Sequence, residues 1–217
     1  MIAEVEKRIR PRSPTIRDKV VERSNGAAPS SGLNAALAAC SAAGIEVVSV
    51  RPEWIEVLAP CTFASIEPLQ QLLMQFEADL PSDIGEAINY SFREMFSNAM
   101  EYGGQLDPAK HIEVRFIRLT RAVICRIKDP GNGFDPARLD HAAINNPSDD
   151  PLGHASVRDM KGLRPGGFGI LLTSQLVDEL VYNQRHNEVL FVKYLSSIEG
   201  ASSCHRMHSM LSQRSCR

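Results

Sequence analysis

Two apolar runs, Ile112 to Leu119 and Ala122 to Lys128, are separated by only Thr120 and Arg121. Both are rich in Val and Ile and read as strands. A two-residue link can join only antiparallel neighbours, because a parallel crossover takes a dozen or more residues. The same constraint returns near the end of the chain. There, Asp178 to Tyr182 and Val189 to Tyr194 flank the polar stretch Asn183 to Glu188 and read as a hairpin. A doubly wound parallel nucleotide fold is thereby excluded.

The remaining elements follow from period and punctuation. Residues 34–44 are alanine-rich and read as a short helix, and Ile45 to Val50 and Trp54 to Ala59 read as strands. Ser65 is placed to cap a helix with Pro68 in its first turn, on which Leu69, Leu72, Leu73, Phe76 and Leu80 recur at helical spacing. The clearest helix carries Ile84, Ile88, Phe92, Met95, Phe96 and Ala99 on one stripe. Asp83 and Glu86 give it a capping-box-like start, and Gly103-Gly104 ends it. A long loop then leads to a helix from Phe168 to Val177. The order is strand, helix, helix, strand, strand, loop, helix, strand, strand. It predicts an α+β two-layer sandwich, with helices on one face of a mixed, mostly antiparallel sheet.

The 217 residues suffice for one domain with appendages. Residues 1–33 read as a flexible basic arm, 34–51 as a helix–strand extension, 52–196 as the domain, and 197–217 as a flexible tail. Residues 1–24 hold seven Lys or Arg against four Asp or Glu. The arm is either a solvated tail or a dock for an acidic partner. The whole chain has 24 basic and 26 acidic residues, a balance that argues against a general nucleic-acid binder. No apolar run approaches the roughly 20 residues of a membrane span. Five cysteines without a repeated spacing fit reduced thiols in a cytoplasm. Cys204, His205 and His208 in the tail lack a fourth ligand at structural spacing, so they do not make a metal site.

Three short segments carry chemistry. Glu94 and Asn98 stand at i and i+4 and share a helical face beside the apolar stripe. A carboxylate there can orient or deprotonate a hydroxyl, and an amide oxygen suits Mg²⁺. Asp129-Pro-Gly131-Asn-Gly133-Phe134 follows a strand directly; its glycines allow close backbone approach to a flat ligand, and Asp129 can accept from an exocyclic amine. Arg164-Pro-Gly166-Gly167-Phe168-Gly169 opens a helix, where free N–H groups and the dipole favour phosphate. Taken singly, each has an ordinary reading: a wet helix face, an Asx turn, a flexible hinge.

Their order and spacing are less ordinary. The combination resembles the GHKL ATPase superfamily, with its Bergerat ATP-binding sandwich, over about residues 52–196. The resemblance implies ATP and Mg²⁺ as cofactors. It places Mg²⁺ on Asn98, the adenine amino group on Asp129, and the base against Gly131, Gly133 and Phe134. The phosphates fall near Gly166, Gly167, Phe168 and Gly169, and residues 135–165 become an ATP lid. Arg164 would meet the γ-phosphate or a protein partner.

Within the superfamily, a histidine kinase needs a phosphoacceptor before the ATP domain, and the first histidine here is His111. Gyrase-like members need a following transducer domain. The segments Phe92 to Ala99 and Arg164 to Leu180 resemble the bacterial anti-sigma-factor serine/threonine kinases in particular. That resemblance implies a homodimer that binds a sigma factor or equivalent regulator and phosphorylates a small STAS-type antagonist, with Glu94 as the catalytic base. Tyr102 stands where those kinases commonly carry histidine. The alternative from another class is an ATP-gated protein-binding module without phosphotransfer.

Overall fold

A computed structural model describes residues 31–163 and 165–195. In chain order the elements are α1 (Ser31–Ala42), β1 (Glu46–Arg51), β2 (Trp54–Pro60), α2 (Ile66–Phe76), α3 (Ser82–Asn98), β3 (His111–Leu119), β4 (Ala122–Lys128), α4 (Gly153–Met160), α5 (Gly169–Leu176), β5 (Glu179–Tyr182) and β6 (Glu188–Tyr194). The strands form one sheet in the order β1-β2-β3-β4-β6-β5. The expected two-layer α+β architecture is present. Every neighbouring pair is antiparallel, where a partly mixed sheet had been expected.

Alternation along the strands divides the sheet into two faces. Ile55, Phe116, Cys125 and Phe191 lie in one cross-strand row, and Val57, Val114, Ile127 and Val189 in the next. These rows meet the apolar stripe of α3, where Phe92 stacks on Phe96 at 5.4 Å and packs edge-on to Phe116 at 5.3 Å. The stripe read from the sequence is therefore the seam between helix and sheet. The helix–strand extension joins the same core. Strand β1 pairs with β2, and Ala36 and Cys40 of α1 are buried in the main cluster.

The opposite face is mixed. Ile117, Ile124, Leu190 and Val192 form a small buried apolar group there. Beside it, charges pair across strands: Arg115 with Glu56, Lys128 with Glu113, and Arg126 with Glu188 at 2.6 Å.

Several local expectations are corrected. Ser65 does not cap α2; its hydroxyl donates to Pro60 O at 2.8 Å. Asp83 and Glu86 form no capping box, since α3 begins after Pro81 without a side-chain cap. The carbonyl of Pro81 instead accepts from the amides of Ile84 and Gly85. The long stretch before α5 is not all loop, because it contains α4 and two single 3₁₀ turns. Pro136, Pro147, Pro151, Gly153 and Gly162 interrupt this stretch so often that an eight-residue helix leaves no readable period.

Candidate nucleotide-binding site

Helix α3 ends at Asn98, and the next five residues, Ala99–Gly103, widen into a π-turn. Such bulges turn the chain without breaking it and are frequent at functional sites. Glu94 and Asn98, one turn apart, face a cavity of about 840 Å³. The same cavity is lined by Asp129, Gly131, Gly133, Phe134 and the turn Gly166–Gly169. The sheet-and-helix core thus gathers all three motif segments at one place. Arg164 lies outside the described residues. A second hollow, of about 410 Å³ between the β3–β4 turn and the end of β6, holds none of these residues.

At one end of the cavity, Asp129 closes strand β4. Its backbone N–H donates to Asn187 O at 3.0 Å, and its Oδ1 accepts from the Gly131 amide at 2.8 Å. Burial pushes the Asp129 carboxyl above the usual carboxylate range, and the Gly131 amide opposes that rise. The carboxylate lines the cavity and is partly buried, which sharpens any hydrogen bond it accepts. Gly103 backs onto it: a Cβ there would stand 2.3 Å from the carboxylate.

Gly133 is pinned differently. It has φ of +85°, and a Cβ would fall 1.5 Å from the carbonyl oxygen of Arg185. Only glycine combines that dihedral with so close an approach. The turn between β5 and β6 is therefore the back wall of the glycine loop. Asn187 Nδ2 donates to Gly131 O at 3.1 Å, and Asn183 and Asn187 hold each other across the turn through two hydrogen bonds. Sequence reasoning read 183–188 only as a hairpin turn. Its two asparagines were the available sign, since Asn side chains readily hydrogen-bond to nearby backbone. Phe134 packs against Tyr182 and His186 at 5.5 and 5.2 Å, giving this end an aromatic side.

At the other end, α5 begins at Gly169. A Cβ on Gly169 would stand 2.3 Å from Glu94 Oε2, so the carboxylate rests against the first residue of α5. Gly167 has φ of +95°, and a Cβ there would meet His141 O at 2.7 Å and His154 Cδ2 at 2.9 Å. The segment expected as a lid is thus in contact with the turn expected to meet the phosphates. Ala143 N–H donates to Gly167 O at 2.9 Å, and Arg158, buried on α4, donates to His141 O at 3.1 Å. Sequence reasoning missed His154 and Arg158, because α4 itself was not visible.

Among the described residues, no group of three or more His, Cys, Asp or Glu is arranged to hold a metal ion. The hard donor that faces the cavity beside Glu94 is the amide of Asn98. No helix among these residues is long and apolar enough to cross a membrane.

Residues 60–193, more than half of the chain, match the histidine kinase-like ATPase domain. No curated protein matches the chain. The matched segment runs from the end of β2 through β6 and contains the whole cavity just described. The chain belongs to the histidine kinase-like ATPase domain family, of the GHKL superfamily, and this domain is an ATP-binding module.

Proposed function

We propose that the protein is a Mg-ATP-dependent serine/threonine protein kinase of the anti-sigma type, acting on a small STAS-type antagonist. One observation carries this reading. Glu94 and Asn98 stand one turn apart on α3 and line the same cavity as Asp129 and Gly166–Gly169. An ATP-binding site alone needs no carboxylate poised at its phosphate end.

The residues fit Mg-ATP. Asp129 accepts from the adenine amino group, and Gly103, Gly131 and Gly133, where a Cβ would collide with the Asp129 side chain, Gly103 or Arg185 O, let the backbone close in around that carboxylate. The amides that open α5, and the positive end of that helix, receive the phosphates. Asn98 offers its amide oxygen to Mg²⁺. Bound Mg-ATP supplies the transferable phosphoryl group and the counter-charge that the chemistry requires. Glu94 orients the acceptor hydroxyl and takes its proton as the oxygen attacks. Its carboxylate rests against Gly169, the first residue of α5. Arg164 is assigned to the γ-phosphate or to the partner protein. The protein is proposed to work as a homodimer that also sequesters a sigma factor or equivalent regulator.

The test is labelled transfer. Purified protein and its Glu94→Gln variant are incubated with γ-labelled ATP and Mg²⁺ in lysate of the source cell. A labelled small protein that appears only with wild type supports the kinase. Equal label with both proteins refutes Glu94 as the base. No label with either, with ATP binding intact, points instead to an ATP-gated binding module.

A further inference from the structure

His154 is a buried histidine that the nucleotide site leaves unused. It lies in the first turn of α4 and is 1% exposed. Its partner Asn146 has no freedom of orientation. Asn146 Oδ1 accepts from the His154 backbone N–H at 3.0 Å, and Asn146 Nδ2 donates to Pro151 O at 2.6 Å. A backbone N–H cannot accept and a carbonyl cannot donate, so the amide cannot be flipped. Its Nδ2 therefore also donates to His154 Nδ1, at 2.6 Å. Nδ1 is the acceptor, and the ring proton is on Nε2. Nε2 is buried without a hydrogen-bond partner. The ring packs perpendicular to Phe168 at 4.5 Å, and its Cδ2 fills the space above Gly167.

The structure assigns His154 as the residue that docks the lid on the phosphate turn: its neutral Nε2–H form seats α4 on Gly167 and Phe168, and its protonation releases α4. A proton on Nδ1 would set two N–H donors face to face at the Asn146 contact. It would also bury a charge with no acceptor, at the N-terminal end of a helix where the dipole already opposes it. The surrounding charges do not rescue that state. Arg158, one turn further along α4, is cationic and buried. Lys161 and the His141 ring both engage Asp140, and Glu94 faces Gly169 from α3. Asp150 is the carboxylate at the start of α4, packed against Gly153. The positive φ of Gly167 and its missing Cβ are what let the imidazole sit so close.

The lid half of this inference stands on geometry alone. Its consequence for ligand affinity rests on the Mg-ATP reading of the cavity. The first measurement is the ring-nitrogen NMR spectrum of ¹⁵N-histidine-labelled full-length protein at about pH 8. One buried histidine with its proton on Nε2, lost in His154→Gln, is expected; a proton on Nδ1 overturns the assignment. The second is hydrogen–deuterium exchange of the lid between about pH 8 and pH 5.5, compared at each pH with His154→Gln. Glutamine can accept from Asn146 and cannot be protonated. Wild-type protection should be lost relative to the variant as the pH is lowered. Asn146→Asp, which gives a protonated His154 an acceptor, should reverse the trend. Identical pH responses in wild type and His154→Gln overturn the latch. Mg-ATP affinity, by calorimetry over the same range, should weaken in parallel in wild type and stay flat in His154→Gln. No ATP binding at pH 8, with the NMR and exchange results as expected, overturns the ATP reading and supports the latch. ATP binding with a pH-indifferent lid does the reverse.

Discussion

Glu77, just past the end of α2, and Asn89, on α3, form a buried acid–amide pair outside the lining of the cavity. Asn89 Nδ2 donates to Glu77 Oε2 at 3.0 Å, while Glu77 Oε1 and Asn89 Oδ1 are both buried without partners. Two acceptors lack a donor, and a proton on Glu77 supplies it. Burial pushes the Glu77 carboxyl up to about 8, with Arg118 opposing the rise.

The folded protein therefore holds a proton on Glu77 that the unfolded chain releases near pH 4.5. Stability should fall as pH rises from about 4.5 to about 8 and then level off, by on the order of a few kcal/mol in all. Glu77→Gln offers the same donor and acceptor without ionising. Urea titrations at pH 5, 7 and 8.5 should show the variant's stability losing this slope and exceeding wild type at the highest pH. A slope unchanged by the substitution refutes the buried proton.

Gly169→Ala places a methyl carbon 2.3 Å from Glu94 Oε2. The carboxylate is a flexible side-chain end and will move aside, so the fold survives. The expected outcome is a normal thermal melt, near-normal ATP binding and phosphotransfer reduced by tenfold or more, or about 1.4 kcal/mol of transition-state stabilisation. Undiminished transfer would show that the position of Glu94 against α5 has no catalytic value.

Gly133→Ala meets a backbone atom instead. The carbonyl of Arg185 cannot swing away as a side chain can, and the positive φ adds its own strain. A cost of about 2–4 kcal/mol is expected, with ATP affinity falling because the glycine loop and the β5–β6 turn must part. Chemical denaturation and calorimetry check both halves. Lost affinity at full stability would mean that the loop contacts ligand but does not lean on the turn.

On the far face of the sheet, Arg126 is 7% exposed and pairs with Glu188 at 2.6 Å. Arg126→Met strands a largely buried carboxylate and should cost about 3 kcal/mol. The double substitution Arg126→Met, Glu188→Leu should recover most of it. ATP binding should stay as it is in the single variant, because Arg126 does not line the cavity. A double variant as unstable as the single one would mean that the pair packs better than apolar side chains do.

Much of this molecule was readable in order along the chain. The Phe92, Met95, Phe96 stripe gave the helix that meets the sheet, and the two-residue gap at Thr120 and Arg121 gave an antiparallel pair, because both are local patterns. The motif segments around Glu94 and Asn98, Asp129 and Gly133, and Gly167 and Gly169 were also visible, since glycine and carboxylate spacing is written in the sequence. Capping was misread at Ser65 and Asp83, because a hydroxyl or carboxylate near a helix start has other partners available once the chain is folded.

The sequence alone determined an α+β sandwich with two antiparallel strand pairs and three chemically loaded segments, because side-chain period and backbone permission act over a few residues. Only the tertiary structure decided what each glycine touches. Gly169 meets Glu94 from 75 positions away and Gly133 meets Arg185 from 52, and no local pattern encodes either encounter. Helix α4, the asparagine-braced turn and the buried Glu77 proton likewise come from packing. They depend on which surfaces the sheet brings together, and burial there sets the proton positions and hydrogen-bond roles that an extended chain leaves free.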